Sequence, residues 1–183
     1  MNNNKSYNNI YLISGIILIA LISRLIPHAP NFTAMGAVAL FGGTYIKKQS
    51  LKYIIPIGAM CISDILLSLT GVPLPSITLQ ISIYVAFALI VMIGSEDYKD
   101  SRLKKTPNIV LSSLAASSLF FIITNFGVWL GGWYGYSLTG LATCYTAAIP
   151  FFGNTIMGDL TYCAILFGAY EYIKLYVPRL ATR

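Results

Sequence analysis

Long apolar runs separated by short polar or proline-containing breaks dominate the chain, and several reach the ~20 residues needed to cross a bilayer. Runs over 9–26, 51–70, 77–94, 109–130 and 153–177 read as membrane spans, and a shorter one over 32–46, rich in Ala and Gly, as a sixth. The breaks have local causes. Pro27-His28-Ala29-Pro30-Asn31 interrupts the helix because proline removes backbone donors. Gly71-Val72-Pro73-Leu74-Pro75 is a turn signal, and 95–107 is a solvated loop holding half the acids. Gly131 to Ser137 is a Gly/aromatic turn, followed by a weakly apolar stretch, Leu138 to Phe152, interrupted by Pro150. Residues 1–8 form an Asn-rich tail, 9–177 a single transmembrane domain and 178–183 a C-terminal tail.

Composition agrees with this pattern. Of 183 residues, 56% are hydrophobic and 10% charged, and the mean hydropathy is +0.71. A soluble globular protein carries about 25% charged residues, so an ordinary cytosolic enzyme, a disulfide scaffold and a disordered chain are all excluded. Cys61, Cys144 and Cys163 are far apart and form no CxxC pair, which argues against a thiolate metal site and for small buried side chains. No metal or other cofactor is expected.

The net charge of +6 could suggest nucleic acid, but in a membrane protein it reports topology and contact with anionic lipid. With six spans and both termini on one side, eleven of the twelve Lys and Arg residues fall on that side and only Arg24 on the other. Basic loops stay cytoplasmic, so the expected architecture is all-α, six transmembrane helices, N-in and C-in, in the cytoplasmic membrane. A re-entrant 32–46 would move Lys47, Lys48 and Lys52 outside and destroy the asymmetry. By the same logic 138–152 is an outer re-entrant or interfacial helix before the last span.

Depth then singles out three ionisable residues near the outer ends of three spans: Arg24, Asp64 and Asp159. Glu171, near the inner face, has Lys174 three residues on, a surface-type pair. Intramembrane charges are costly and are functional candidates by default, although Arg24 could snorkel or simply pair with a carboxylate. His28, Asn31, Asn125, Trp129, Trp133, Tyr134, Tyr145 and Asn154 converge on the same end. The aromatic residues also fit an interfacial belt. The expected division of labour is that Asp64 positions Arg24 while Asp159, beside Asn154, faces a ligand. Small residues cluster on the inner half of the fifth run, with Ser113 and Ala116 expected at a partner surface or a tight helix seam. Ala39 with Gly43 and Ala164 with Gly168 repeat the small-xxx-small spacing.

Enzyme chemistry finds no support. There is no G-x-S-x-G elbow, H-E-x-x-H or phosphate-binding glycine loop. Two intramembrane aspartates invite an aspartyl-protease reading, but Ser63 precedes Asp64 and Ile156-Met157 precede Gly158-Asp159, so neither protease pattern is present.

Four segments resemble a domain-of-unknown-function family of small bacterial membrane proteins: Arg24-Leu25-Ile26-Pro27-His28-Ala29-Pro30-Asn31-Phe32, Ala39-Leu40-Phe41-Gly42-Gly43, Thr124-Asn125-Phe126-Gly127-Val128-Trp129, and YTAAIPFFGNTIMGDL from Tyr145 to Leu160. That family is similar to the substrate-binding S components of energy-coupling-factor (ECF) vitamin transporters, in size, helix number, topology and a late Asn-x-x-x-Gly-Asp element. The resemblance implies a subunit that binds a vitamin or other small micronutrient near the outer side. Uptake would be energised by a separate transmembrane coupling protein with two ATPases. No vitamin-specific signature is present, so the ligand is open. The competing classes are a non-transport scaffold or assembly factor, which would pair its charges and leave no cavity, and a membrane enzyme.

Overall fold

A computed structural model describes residues 15–102 and 108–176, with the side chains of 97–102 and of Lys174 excepted. The expected tails, the start of the first span and the Glu171–Lys174 pair lie outside the described residues. The described chain is helical: α1 (Gly15–Leu25), α2 (Met35–Tyr45), α3 (Gln49–Leu69), α4 (Ile77–Arg102), α5 (Ile109–Leu130) and α6 (Leu138–Tyr176). Three of them, Gln49–Leu69, Ile77–Glu96 within α4 and Ile109–Leu130, are long and apolar enough to cross a membrane.

The short helix is the centre of the bundle. α2 packs against α3, α4, α5 and α6, and Met35 and Ala37 through Thr44 are all buried. Its composition explains this: glycine and alanine let neighbouring backbones approach closely. Gly43 of α2 and Gly94 of α4 face each other so tightly that a Cβ on either would strike the other helix's backbone, Val91 O in one case and Leu40 O in the other. Ala39 and Gly43 therefore belong to an internal seam. Beside that crossing, Phe41 and Tyr45 of α2 interlock with Phe167 and Tyr170 of α6, with Phe41 edge-on to Phe167 at 5.1 Å. The core cluster draws residues from all six helices.

Besides α4, which runs on to Arg102 into the stretch expected as a solvated loop from residue 95, two features differ from the pattern read off the sequence. At 11 residues, α2 is about 16 Å long, roughly half the hydrocarbon thickness, so the helix itself cannot be the span expected over 32–46. The stretch before it, residues 26–34, is not helical. Second, the expected outer helix and last span are one helix of 39 residues that runs through Pro150. Pro150 interrupts the weakly apolar stretch, but one missing N–H within a helix held on both sides does not end it.

Contacts with α5 define the course of α6 from Cys144 to Asp159. Asp159 meets Ser117, Phe152 meets Phe121, Tyr145 meets both Phe121 and Ile122, and Cys144 meets Asn125. From Ser117 to Asn125, α5 advances roughly 12 Å, while α6 uses roughly 22 Å of helix from Asp159 back to Cys144. The first half of α6 thus lies obliquely across the end of α5.

Candidate functional site

The two most distinctive sequence segments, around Pro27–Phe32 and around Asn154–Asp159, come together in space. Asn154 Nδ2 donates to the Pro30 carbonyl at 3.0 Å. One turn further along α6, Gly158 lies against the loop: a Cβ there would sit 3.1 Å from Thr33 N and 3.2 Å from Phe32 Cα. Ser23 Oγ accepts from the Ala34 N–H at 3.0 Å and fixes the loop's other side to α1. Asn31 turns the chain with φ of 65°, a left-handed conformation that Asn tolerates.

Asp159 comes next in the same row. It is 4% exposed, accepts from Ser117 Oγ at 2.6 Å and from the Ala37 backbone N–H, and packs directly on Gly36. Ala34, the N-cap of α2, supplies no side-chain cap. The Asp159 carboxylate therefore caps α2 from another helix, where orphan N–H groups and the helix dipole favour negative charge. Gly36 is what permits it, because the carboxylate occupies the space a Cβ would need.

Arg24 and Asp64 form the second polar group. Arg24 Nη1 lies 2.8 Å from Asp64 Oδ1, with side-chain exposures of 15% and 7%. The same nitrogen donates to Ser63 Oγ at 2.8 Å and contacts Met60 Sδ. The remaining Asp64 oxygen accepts from Gln80 Nε2 at 3.0 Å, and Gln80 also donates to Tyr84 OH at 2.6 Å. Tyr84 in turn meets Cys61 Sγ at 3.0 Å. Arg24 is thus neutralised and held by a network spanning α1, α3 and α4.

Between these groups lies a cavity of about 310 Å³. Arg24, His28, Asn31 and Asp159 line it, so four of the expected ligand residues share one space. Its apolar wall is Met35, Met60, Leu67, Ile83, Phe87 and Phe120, the last two rings stacked at 5.7 Å. His28 lies exposed, its Nδ1 against the Ala29 carbonyl. Asp64 stands behind Arg24, outside the lining.

The other expected residues are elsewhere. Asn125 donates to Phe121 O in its own helix, and Tyr145 OH donates to Ile122 O at 2.6 Å. Trp129 packs between Phe126 and Tyr136 with its indole N–H buried and unpartnered, and Trp133 is 77% exposed. These aromatics belong to the α5–α6 junction and not to the cavity. Asn154 acts on the cavity only through the loop. Ser113 and Ala116, expected at a partner surface or a seam, are 0% and 1% exposed. They lie in an internal seam, their face of α5 covered by the chain's own helices.

Sequence reasoning missed Gly36, Ser63, Gln80 and Ser117. Gln80 was visible as an amide within an apolar run, but nothing in one dimension ties it to Asp64. Among the described residues no group of three or more His, Cys, Asp or Glu could hold a metal ion.

No curated protein and no solved structure matches the chain. One family model does, and it covers residues 4–180, nearly the whole length; the chain therefore belongs to the family of unknown function DUF6580.

Proposed function

We propose that this protein is a multi-pass membrane subunit that binds a small solute, a vitamin or comparable micronutrient, in the cavity between Arg24 and Asp159. In this S-component-like reading it delivers the solute inward with a separate ATPase module. The cavity carries the proposal: about 310 Å³ is within the range of small-molecule sites, which combine apolar walls with a few convergent polar groups. A scaffold would account for the Arg24–Asp64 pair but has no use for this space. Arg24 already faces Asp64, so the remaining carboxylate, Asp159, favours a solute with a cationic or hydrogen-bond-donating group.

The proposed topology is six crossings with both termini inside. The second crossing combines the non-helical segment 26–34 with α2. Irregular backbone at membrane depth is tolerated where it lines a cavity, and a half-helix whose N-terminus points at a binding site is a recurrent transporter device. The last crossing is the second half of α6, with the oblique first half at the outer surface. A cysteine replacing Trp133 should react with an impermeant maleimide from outside, and one replacing Lys47 only after the membrane is opened. Labelling of the Trp133 position from the cytoplasmic side alone would defeat this topology.

The functional test uses protein purified in mild detergent and mass spectrometry of the small molecules that accompany it. Wild type should carry a small molecule that Asp159→Asn loses about tenfold or more, while the variant remains folded. Asparagine can still accept from Ala37 and pair with Ser117, so the cap is largely retained. Equal retention by the variant, or the absence of any accompanying molecule from wild type purified out of cells in rich medium, would overturn the reading.

A further inference from the structure

A second cavity, of about 650 Å³, opens at the opposite end of α2, independent of the solute site. Its lining includes Lys47, Gln49, Lys52, Tyr45, Ser95 and Glu96. We propose that it seats the headgroup of a net-anionic phospholipid.

Three observations converge on that chemistry. Lys52 is 8% exposed and is directed into the bundle, its Nζ 3.1 Å from Ser95 Oγ. Ser95 is fastened to the Val91 and Gly43 carbonyls, so the ammonium is held beside the glycine crossing and does not extend into solvent. Lys47 lines the same space, so the lining carries two lysines, Lys47 and Lys52, against one acid, Glu96. The N-terminus of α3 also begins here, at Gln49, and Lys48 gives it no side-chain cap. Helix N-termini of this kind favour phosphate oxygens.

The third observation distinguishes a lipid from a free anion. Met92 also lines the cavity and is 53% exposed. It continues a stripe of exposed apolar residues on α4 through Val85 and Ile81, spaced to lie on one helix face. A chamber that holds Lys47 and Lys52 and empties onto an apolar exterior stripe matches a headgroup with its acyl chains. Basic pockets between helices at the cytoplasmic surface are suited to such headgroups.

Native mass spectrometry of the full chain, released from detergent containing equal phosphatidylglycerol and phosphatidylcholine, tests this. The expected result is about fivefold preferential retention of phosphatidylglycerol, reduced about fivefold by Lys47→Gln. Lys47 is exposed, so this variant tests the site even if Lys52→Gln fails to fold. Equal retention of the two lipids, or unchanged retention in Lys47→Gln, would overturn the proposal. So would displacement of the lipid by inorganic phosphate at matched concentration, which would make this a site for the free ion.

Discussion

Gly94→Ala should destabilise the protein by about 3 kcal/mol, the upper end of the usual cost of overpacking. The added Cβ would press on Leu40 O and stand 3.1 Å from Thr44 N, both of them backbone atoms of α2. Backbone cannot move aside as a side-chain tip can. Nor can α2 retreat, since α3, α5 and α6 pack on its other sides. A shift of roughly 6–12 °C in melting temperature is expected for a chain of this size, measured on detergent-solubilised protein. Gly168→Ala is the matched control. Nothing lies within 4 Å of a Cβ at that helical position, so helix propensity alone should make it neutral or stabilising by about 1 kcal/mol. Equal melting of Gly94→Ala and wild type would mean that α2 and α4 do not cross at these glycines.

Asp64→Asn should cost a similar amount, about 3 kcal/mol, the lower end for removing one partner of a buried ion pair. The loss is larger than one hydrogen bond because the Arg24 guanidinium remains, 15% exposed, with only Ser63 and Met60 against it. Gln80 loses its charged acceptor as well. The double variant Arg24→Leu, Asp64→Leu should recover much of the stability, because replacing both charges removes the desolvation cost together with the attraction. Double-mutant analysis of melting checks this. If the double variant melts below Asp64→Asn, Arg24 has another partner that matters more than Asp64.

The two carboxylates also differ in what their loss should do. Asp64 serves Arg24, and its removal is a stability event. Asp159 serves α2 and the cavity, and its removal with hydrogen bonding retained is a binding event. Sequence reasoning places both near one end of the bundle, and Arg24 and Asp64 form an ion pair at 2.8 Å. That Asp159 would cap a helix from a distance was not legible, because the capped N-terminus is far away in sequence and carries no capping residue of its own to draw attention.

Much else follows directly from the chain. A 56% apolar composition with 10% charge leaves little polar surface to offer water, and long apolar runs favour helices, which satisfy their own backbone groups. Prolines 27 and 30 ended the first helix as expected. The glycines and alanines of 35–45 announced close packing, because close approach needs the absence of side chains.

Tertiary structure alone decided the rest. Hydropathy averages over a window and cannot tell lipid-facing from protein-facing positions, so it does not show that α2 is a short interior helix packed against four others. It divides the chain after Phe152, where a weakly apolar stretch meets a strongly apolar one, because a window average does not see the packing that carries one helix through both. It gathered the aromatics of α5 and α6 into the ligand site because residues at equal depth look equivalent in one dimension, while their azimuth around the bundle places them at another junction. Depth is a property of position along each run and can be read from sequence. Which residues share a cavity depends on how helices rotate and cross, and here that is set by contacts such as Gly43 on Gly94 and Asp159 on Gly36, whose partners are far apart in the chain.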